Sequence, residues 1–258
     1  MSINPSLQAS IKPFDKRRAL AVLANRAAAI DFAVNHLLDV ANNAIQAHNA
    51  FYLALSGGST PKAIYKELSL PSNRKRIPWE KVFLFWSDER SAPPTDPDSN
   101  YHMAMEAGFK MLPIPKEQIF RMEAEKDIAY HAKEYEETIK RVVPGATFDL
   151  VMLGMGDDGH TASLFPHTVA LIEEQHLVVA NNVPQQETQR MTFTYPLINA
   201  AHNIVLYVIG ANKTAMAEHV LTTPYTPLDL PSQRVGTEAR PALWILDNDA
   251  AAQLSSTL

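Results

Sequence analysis

Cysteine is absent from this chain of 258 residues. Its absence excludes disulfide bonds, thiolate metal sites and a cysteine nucleophile, and it fits a reducing compartment. Nowhere do apolar residues run together for the roughly 18 positions that a membrane-spanning helix requires. The amino-terminal stretch MSINPSLQASIKPFDKRRAL also lacks an apolar signal core. The sequence therefore predicts a soluble, cytoplasmic protein without a membrane partner.

Positive charge is in deficit. The 23 Lys and Arg residues are outnumbered by 28 Asp and Glu, which gives a formal net charge of −5. This balance argues against a general affinity for nucleic acids or anionic membranes. Any anionic ligand must therefore be held by a local cluster of cations and backbone donors.

Repeats and low-complexity tracts are missing as well, and no stretch has the composition of a linker. The length allows one large α/β domain or two small ones. We predict a single domain over residues 1–258, in which residues 1–14 form a loosely ordered arm. We expect a monomer or a weak homodimer.

Glycine is scarce and unevenly placed. Of nine glycines, five fall in two places: Gly57 and Gly58, and then Gly154, Gly156 and Gly159. Glycine is favoured where the backbone takes a positive φ or where another group approaches it closely. Both clusters follow an apolar run, so each predicts a special turn at the end of a strand.

The second cluster lies within FDLVMLGMGDDGHTASLFP, residues 148–166. Its apolar start predicts a strand buried on both faces of a parallel sheet. The turn 154–160 follows, and residues 161–164 are interpreted as the first turn of a helix. Ligands of open α/β sheets bind beyond the carboxyl ends of the strands. A bland interpretation, a Gly/Asp turn with an incidental histidine, remains the alternative from local pattern alone.

The remaining patterns predict further strands at 51–55, 81–86, 176–183, 191–195, 203–209 and 242–246. Helices are predicted over 101–111 and 126–141, and a further helix is predicted to end near residue 221. Residues 15–50 are predicted to form one long helix or two abutting ones. Alternating strands and helices are typical of a doubly wound α/β fold, with a mostly parallel sheet and helices on both faces. Such a sheet brings successive carboxyl ends to one edge.

Four polar junctions, 56–60, 87–90, 154–160 and 210–214, therefore meet around one predicted pocket. Its candidate residues are Ser56, Gly57, Gly58, Ser59, Thr60, Asp88, Arg90, Asp158, His160 and Lys213. Arg190 precedes its predicted strand, so topology alone does not bring it there. The serine/glycine turn suits a phosphate through backbone N–H groups and a helix dipole, although it is not a Walker A loop. Capping of the helix by Ser59 or Thr60 is compatible with that role.

Cations and N–H donors together suit a phosphorylated metabolite. Histidine titrates near neutral pH, and a neighbouring carboxylate stabilises its charged form, so His160 beside Asp158 suits general base catalysis. No serine is placed as an obvious nucleophile, which favours attack by water. Metal ligation by Asp157, Asp158 and His160 is disfavoured because adjacent carboxylates diverge and no HExxH pair exists. We predict neither a metal nor a cofactor.

The junctions also carry a resemblance. The motifs are SGGSTPK at 56–62, SDER at 87–90 with SNY at 99–101, GMGDDGHTASLFP at 154–166, RMTFT at 190–194 and GANK at 210–213. Together, in order over residues 15–250, they resemble the glucosamine-6-phosphate isomerase/6-phosphogluconolactonase family. The GDDGHTASLFP run favours the lactonases within it.

The resemblance implies a sugar-phosphate-isomerase-like fold and hydrolysis of 6-phospho-D-glucono-1,5-lactone in the pentose phosphate pathway. It implies that His160 is catalytic with Asp158 in support, and that Arg90 and Arg190 bind phosphate, with Lys213 a further candidate. Two other functions remain open. One is a sugar-phosphate isomerase or amino-sugar phosphate deaminase, and the other is a non-catalytic sugar-phosphate sensor, which the acidic charge disfavours.

Overall fold

The structure is a computed structural model that describes residues 4–254. Its strands are β1 Ile11–Pro13, β2 Arg18–Leu23, β3 Phe51–Leu55, β4 Val82–Trp86, β5 Asp88–Arg90, β6 Leu150–Gly154, β7 Val178–Val183, β8 Thr188–Phe193, β9 Ile204–Val208 and β10 Ala242–Asp247. Its α-helices are α1 Pro5–Gln8, α2 Arg26–His48, α3 Ser59–Leu68, α4 Pro71–Arg74, α5 Asn100–Ala107, α6 Ile128–Val142, α7 Tyr195–Ala200 and α8 Thr214–Thr222.

The main sheet has seven strands in the order β1-β2-β10-β9-β6-β3-β4. Every neighbouring pair is parallel except β1 with β2. All five residues of β9 are buried, which is the pattern of a strand covered on both faces. The predicted α/β fold with a mostly parallel sheet and helices is thus confirmed.

The prediction of helix over all of residues 15–50 is wrong in its first part. Residues 18–23 form β2, which pairs in parallel with β10. The run RALAVL does not alternate, and its alanines and leucines suit a helix equally well. Pairing with β10 is what decides between strand and helix for this segment. The helix begins at Arg26 after the N-cap Asn25, whose side chain accepts a hydrogen bond from the Ala28 N–H at 3.0 Å.

α2 ends at Asn49, which takes the left-handed conformation with φ 62° and lets its N–H reach the Ile45 carbonyl. The helix is 23 residues long, and its buried face packs on the main sheet. No helix within residues 4–254, α2 included, is both long and apolar enough to cross a membrane.

The expectation of a loosely ordered amino-terminal arm is wrong for residues 5–13. α1 begins after Asn4, whose side chain accepts from the Ser6 N–H, and β1 pairs antiparallel with β2 in the register Ile11↔Ala21. An edge strand needs only one partner, so three residues suffice to continue the sheet. Residues 1–3 lie outside the described part, and the single domain stays a prediction.

A second sheet, with the antiparallel order β5-β8-β7, stands beside the first. It starts directly from the main sheet, because only Ser87 separates β4 from β5 and the Ser87 carbonyl accepts the Phe193 N–H at 2.8 Å. Phe148 joins the two layers by packing between Phe85 and Phe193, with ring centroids 5.2 and 5.4 Å away. The second sheet is thereby fixed next to the carboxyl ends of the main strands.

Candidate active site

A cavity of about 230 Å³ opens beside the carboxyl ends of β3, β4 and β6. It is lined by Ser56, Gly57, Gly58, Asp88, Arg90, Asn100, Gly154, Met155, Gly156, His160, Ala162, Ser163, Phe165, Gln186 and Arg190. Parts of three of the predicted junctions therefore meet at this cavity: residues 56–58 of 56–60, Asp88 and Arg90 of 87–90, and residues 154–156 with His160 of 154–160. Arg190, which topology alone left uncertain, reaches the cavity as well.

His160 and Asp158 form a close pair. The His160 Nδ1 lies 2.5 Å from Asp158 Oδ1, and the His160 N–H donates to the same oxygen at 3.1 Å. Partial burial acts to raise the pKa of Asp158, but the hydrogen bonds from His160 lower it below its usual value. The carboxylate of Asp158 therefore stays ionised at near-neutral pH. It holds Nδ1 of the imidazole and leaves Nε2 on the side of the ring turned away from Asp158.

The imidazole is held on its face as well as at its edge. Its ring stacks on Phe165 with centroids 3.9 Å apart and planes inclined by 24°. The side chain of His160 remains 24% exposed, so one side of the ring is open to the cavity that it lines. A ring fixed at Nδ1 and on one face has little freedom left, which is what a general base needs.

The turn that carries His160 requires glycine at 156. The Gly156 N–H donates to the His160 carbonyl at 2.8 Å, and the backbone therefore runs directly under the imidazole. A Cβ at this position would lie 2.1 Å from His160 Nδ1 and 2.8 Å from Asp158 Oδ1. Gly159 supplies the positive φ of 80° that reverses the chain.

Gly156→Ala should displace the imidazole and lower kcat by roughly 10²-fold, the cost of misplacing a catalytic group by about 1 Å. Gly145→Ala is the control for replacing a glycine outside the cavity lining, because the nearest contact of a Cβ there would be Thr147 Oγ1 at 3.8 Å. Activity measurements on both variants, with thermal unfolding to verify folding, test the difference. Equal activity of the two variants would show that the close approach at Gly156 has no effect on the base.

Residues 161–164 form a tight turn and no helix, so the prediction of a helical turn there is wrong. The Thr161 hydroxyl donates to the Gly154 carbonyl at 2.8 Å, and Ala162 takes a positive φ of 48°. The Leu164 N–H then closes a tight turn onto the Thr161 carbonyl at 2.9 Å. These bonds replace the helical ladder, and His160 therefore has no helix dipole directly behind it.

The serine/glycine turn is held from below by Tyr65. Its hydroxyl accepts from the Ser56 N–H at 3.0 Å and donates to the Ser56 carbonyl at 2.7 Å. Gly58, with φ 104°, is the N-cap of α3, and no side chain caps this helix, so the expected capping by Ser59 or Thr60 is wrong. None of the hydrogen bonds within residues 4–254 uses the N–H of Gly57 or Gly58. These donors stay available at the cavity wall.

Arg90 and Arg190 meet as direct cross-strand partners of β5 and β8. Neither takes part in an ion pair within residues 4–254, and the Nε of each is buried without a partner there. Burial and then the neighbouring Arg90 charge lower the pKa of Arg190. Like charges placed opposite each other repel. Two such guanidinium groups at one cavity form a site for an anion, above all for a phosphate that accepts bidentate bonds.

Four predicted residues lie outside the cavity lining: Ser59, Thr60, Asp158 and Lys213. The ammonium of Lys213 lies 2.5 Å from Asp157 Oδ1, so this lysine reaches the turn 154–160 through Asp157. Asp158, also outside the lining, faces His160. The adjacent carboxylates thus point to different partners.

Sequence reasoning missed Asn100, Ser163 and Gln186 as residues of the cavity wall. Asn100 packs so closely on Gly57 that an added Cβ would lie 2.0 Å from its Oδ1. Gln186 accepts from Arg190 at 2.5 Å. The SNY motif pointed to Asn100. The partners of Ser163 are distant in the chain and leave no local pattern. Gln186 lies only four residues before Arg190, and that proximity was the signal that could have found it.

The loop between β5 and α5 is tied at both ends to the buried carboxylate of Glu89. The carboxylate accepts from the N–H of Arg90 at 2.7 Å at the start of the loop. At its end the same carboxylate accepts from the N–H of Asn100 at 2.7 Å and of Tyr101 at 2.9 Å. The negative charge also lies at the amino end of α5, where the helix dipole favours it. Glu89 therefore places Asn100 and Arg90 relative to each other.

Known proteins resemble the chain over most of its length. The family model for glucosamine-6-phosphate isomerases/6-phosphogluconolactonase matches residues 24–244. A 6-phosphogluconolactonase of Chlamydia pneumoniae is 46% identical over 222 residues, 86% of this chain and 84% of its own. One from Nostoc sp. is 38% identical over 245 residues, 93% of this chain and 99% of its own.

Solved structures agree with the sequences. The crystal structure of devB protein is 31% identical and superposes with a TM-score of 0.84 over 91% of this chain and 98% of its own. The 6-phosphogluconolactonase from Trypanosoma cruzi is 26% identical and has a TM-score of 0.81 over 95% of this chain and 99% of its own. Fold and sequence thus point to one family.

Proposed function

The chain belongs to the glucosamine-6-phosphate isomerase/6-phosphogluconolactonase family, and from this premise we propose that it hydrolyses 6-phospho-D-glucono-1,5-lactone to 6-phospho-D-gluconate. One observation carries the proposal: an imidazole oriented by a carboxylate shares a small cavity with two arginines that have no carboxylate partner within residues 4–254. The base and the anion site are the two parts that hydrolysis of a phosphorylated lactone requires. The reaction belongs to the pentose phosphate pathway.

In this mechanism the Nε2 of His160 takes a proton from a water molecule as its oxygen attacks the lactone carbonyl carbon, C1. Asp158 holds Nδ1 and stabilises the imidazolium that forms. When the tetrahedral intermediate collapses, the bond from C1 to the ring oxygen breaks and the imidazolium returns the proton to that oxygen. The free N–H groups of Gly57 and Gly58 are donors for a substrate oxygen that gains negative charge.

The phosphate is bound by Arg90 and Arg190, and the sugar lies between them and His160. Asp88 is buried in the cavity wall, where its Oδ2 accepts the Ser163 hydroxyl at 2.7 Å, and its carboxylate is a further acceptor for sugar hydroxyl groups. Ser56, Gly57 and Gly58 of the serine/glycine turn complete the substrate side, and Ser59 and Thr60 continue the chain behind them into α3. Lys213 acts indirectly, because its ammonium binds the carboxylate of Asp157 in the turn 154–160.

All of these groups come from one chain, and the reaction uses no cofactor. We propose further that the protein is cytoplasmic and monomeric or weakly dimeric. It acts on a small molecule and has no nucleic-acid or membrane partner.

A pH-stat or coupled assay of acid release from freshly made 6-phosphogluconolactone tests the function. We expect hydrolysis well above the spontaneous rate. The same preparation should neither deaminate glucosamine 6-phosphate nor isomerise aldose phosphates. Turnover of either of those compounds, with no effect on the lactone, would assign the chain to the isomerase or deaminase side of the family.

The activity should not depend on a metal ion. Asp157 faces Lys213 and Asp158 faces His160, so the carboxylates of the turn do not converge on one position. A lactone is also an activated ester, for which a base and backbone donors are a sufficient apparatus. Activity should survive dialysis against EDTA and a chelating resin, and added Zn²⁺ should not raise it. Loss of activity that stoichiometric metal restores would require His160 to be a ligand instead of the base.

A further inference from the structure

Ser163 uses all of its polar groups to bind the second sheet. Its hydroxyl donates to Asp88 Oδ2 at 2.7 Å, and its N–H donates to Thr192 Oγ1 at 3.1 Å. Its carbonyl accepts from the side chain of Asn181 at 2.8 Å. Ser163 is 1% exposed, so these bonds are shielded from water and costly to lose.

The three partners lie on the strands that carry or adjoin the arginine pair. Asp88 and Thr192 are cross-strand partners, and each is two residues from an arginine of the Arg90↔Arg190 pair. Asn181 on β7 is the direct partner of Arg190. Side chains two residues apart in a strand share a face, as do direct partners. Ser163 therefore docks onto the same face that presents both guanidinium groups.

Ser163 is also only three residues from His160, in the tight turn that replaces the expected helix. The geometry points to Ser163 as a positioning residue that fixes the distance between the His160 imidazole and the Arg90/Arg190 pair. It acts through Asp88 and Thr192, so that a phosphate on the arginines aligns the lactone carbonyl with the base. This inference rests on the proposed lactonase function.

Ser232 provides a matched control on the opposite side of the same turn. It is 0% exposed, and its hydroxyl donates to the Gly159 carbonyl at 2.8 Å. It therefore supports the turn of His160 as closely as Ser163 does, but without any bond to the arginine-bearing sheet. Ser163→Ala and Ser232→Ala each delete one short, buried hydrogen bond next to the base.

The experiment measures kcat and KM of the wild type and both variants on 6-phosphogluconolactone and on unphosphorylated gluconolactone. For Ser163→Ala we expect kcat on the phosphorylated substrate to fall roughly tenfold to a hundredfold, the cost of a lost alignment. KM should change little because both arginines remain. The loss on gluconolactone should be much smaller, whereas Ser232→Ala should affect both substrates equally.

A double-mutant cycle with Arg190→Ala tests the same coupling on the phosphorylated substrate alone. If Ser163 acts by relating the base to the arginines, Ser163→Ala should cost far less in the Arg190→Ala background, while Ser232→Ala should cost the same in both backgrounds. Equal losses on the two substrates, or equal losses in the two backgrounds, would reduce Ser163 to ordinary support of the turn. A wild-type protein inactive on 6-phosphogluconolactone would instead refute the proposed function.

Discussion

His160→Asn should lower kcat for 6-phosphogluconolactone by roughly 10²–10⁴-fold, the usual contribution of a general base, with little change in KM. Asparagine is close to histidine in size and polarity but cannot accept a proton at neutral pH. The Nδ1 bond to Asp158, the stacking on Phe165 and the open edge toward the cavity give this histidine its role. Rates must be corrected for spontaneous hydrolysis, which limits the smallest activity that can be measured.

Two companion variants define the effect. Asp158→Asn should cost less than His160→Asn, because it removes orientation and imidazolium stabilisation but leaves the base in place. His167→Asn should be nearly silent, because His167 is 69% exposed and pairs with Asp229 outside the cavity lining. An unchanged kcat in His160→Asn would remove this residue from the mechanism and leave attack by unassisted water.

Arg190→Lys and Arg90→Lys should raise KM for the phosphorylated lactone, each by roughly ten- to a hundredfold, while kcat changes less. Hydrogen bonds to charged groups contribute about 1.5–3 kcal/mol, and lysine keeps the charge but not the paired geometry. Because the two guanidinium groups oppose each other across β5 and β8 with buried Nε atoms, neither can be replaced by reorientation of the other. KM for unphosphorylated gluconolactone should hardly move.

Arg121→Lys is the control for a general effect of arginine replacement. Arg121 binds Glu125 through two nitrogens at 3.0 and 2.9 Å, so it makes a bidentate contact that has no part in the cavity lining. Its replacement should leave both KM values unchanged. Similar losses on the two lactones in the Arg90 and Arg190 variants would instead make these arginines structural residues of the second sheet.

Local pattern predicted most of the main sheet, because buried strands such as 51–55 and 204–208 are short apolar runs with clear ends. It failed at 18–23, where the run RALAVL suits a helix until β10 supplies hydrogen bonds from more than 200 residues away. Asn25 was the available signal, since it marks the start of α2 and would have separated the two elements.

The candidate site was predictable as far as strand topology reached. Four junctions were expected at one edge, and three of them line the cavity, whereas Lys213 stops at Asp157. The antiparallel second sheet was not expected, and it is what brings Arg190 opposite Arg90. The contacts of Ser163 could not be predicted for the same reason, because its three partners become neighbours only when β5, β7 and β8 have paired.

The stacking of His160 on Phe165 also has a spectroscopic consequence. The imidazole lies over the face of Phe165 with ring centroids 3.9 Å apart, in the region that the ring current of Phe165 shields. The His160 ring protons should therefore resonate upfield. The chain has nine histidines. Among the other histidine ring contacts of residues 4–254, the nearest, between Tyr130 and His131, is edge-on at 5.2 Å, and the stacked ones are at 6.1 and 6.3 Å. An upfield ring signal in proton NMR would therefore identify His160 in the unsubstituted protein, and its disappearance in His160→Asn would verify the assignment.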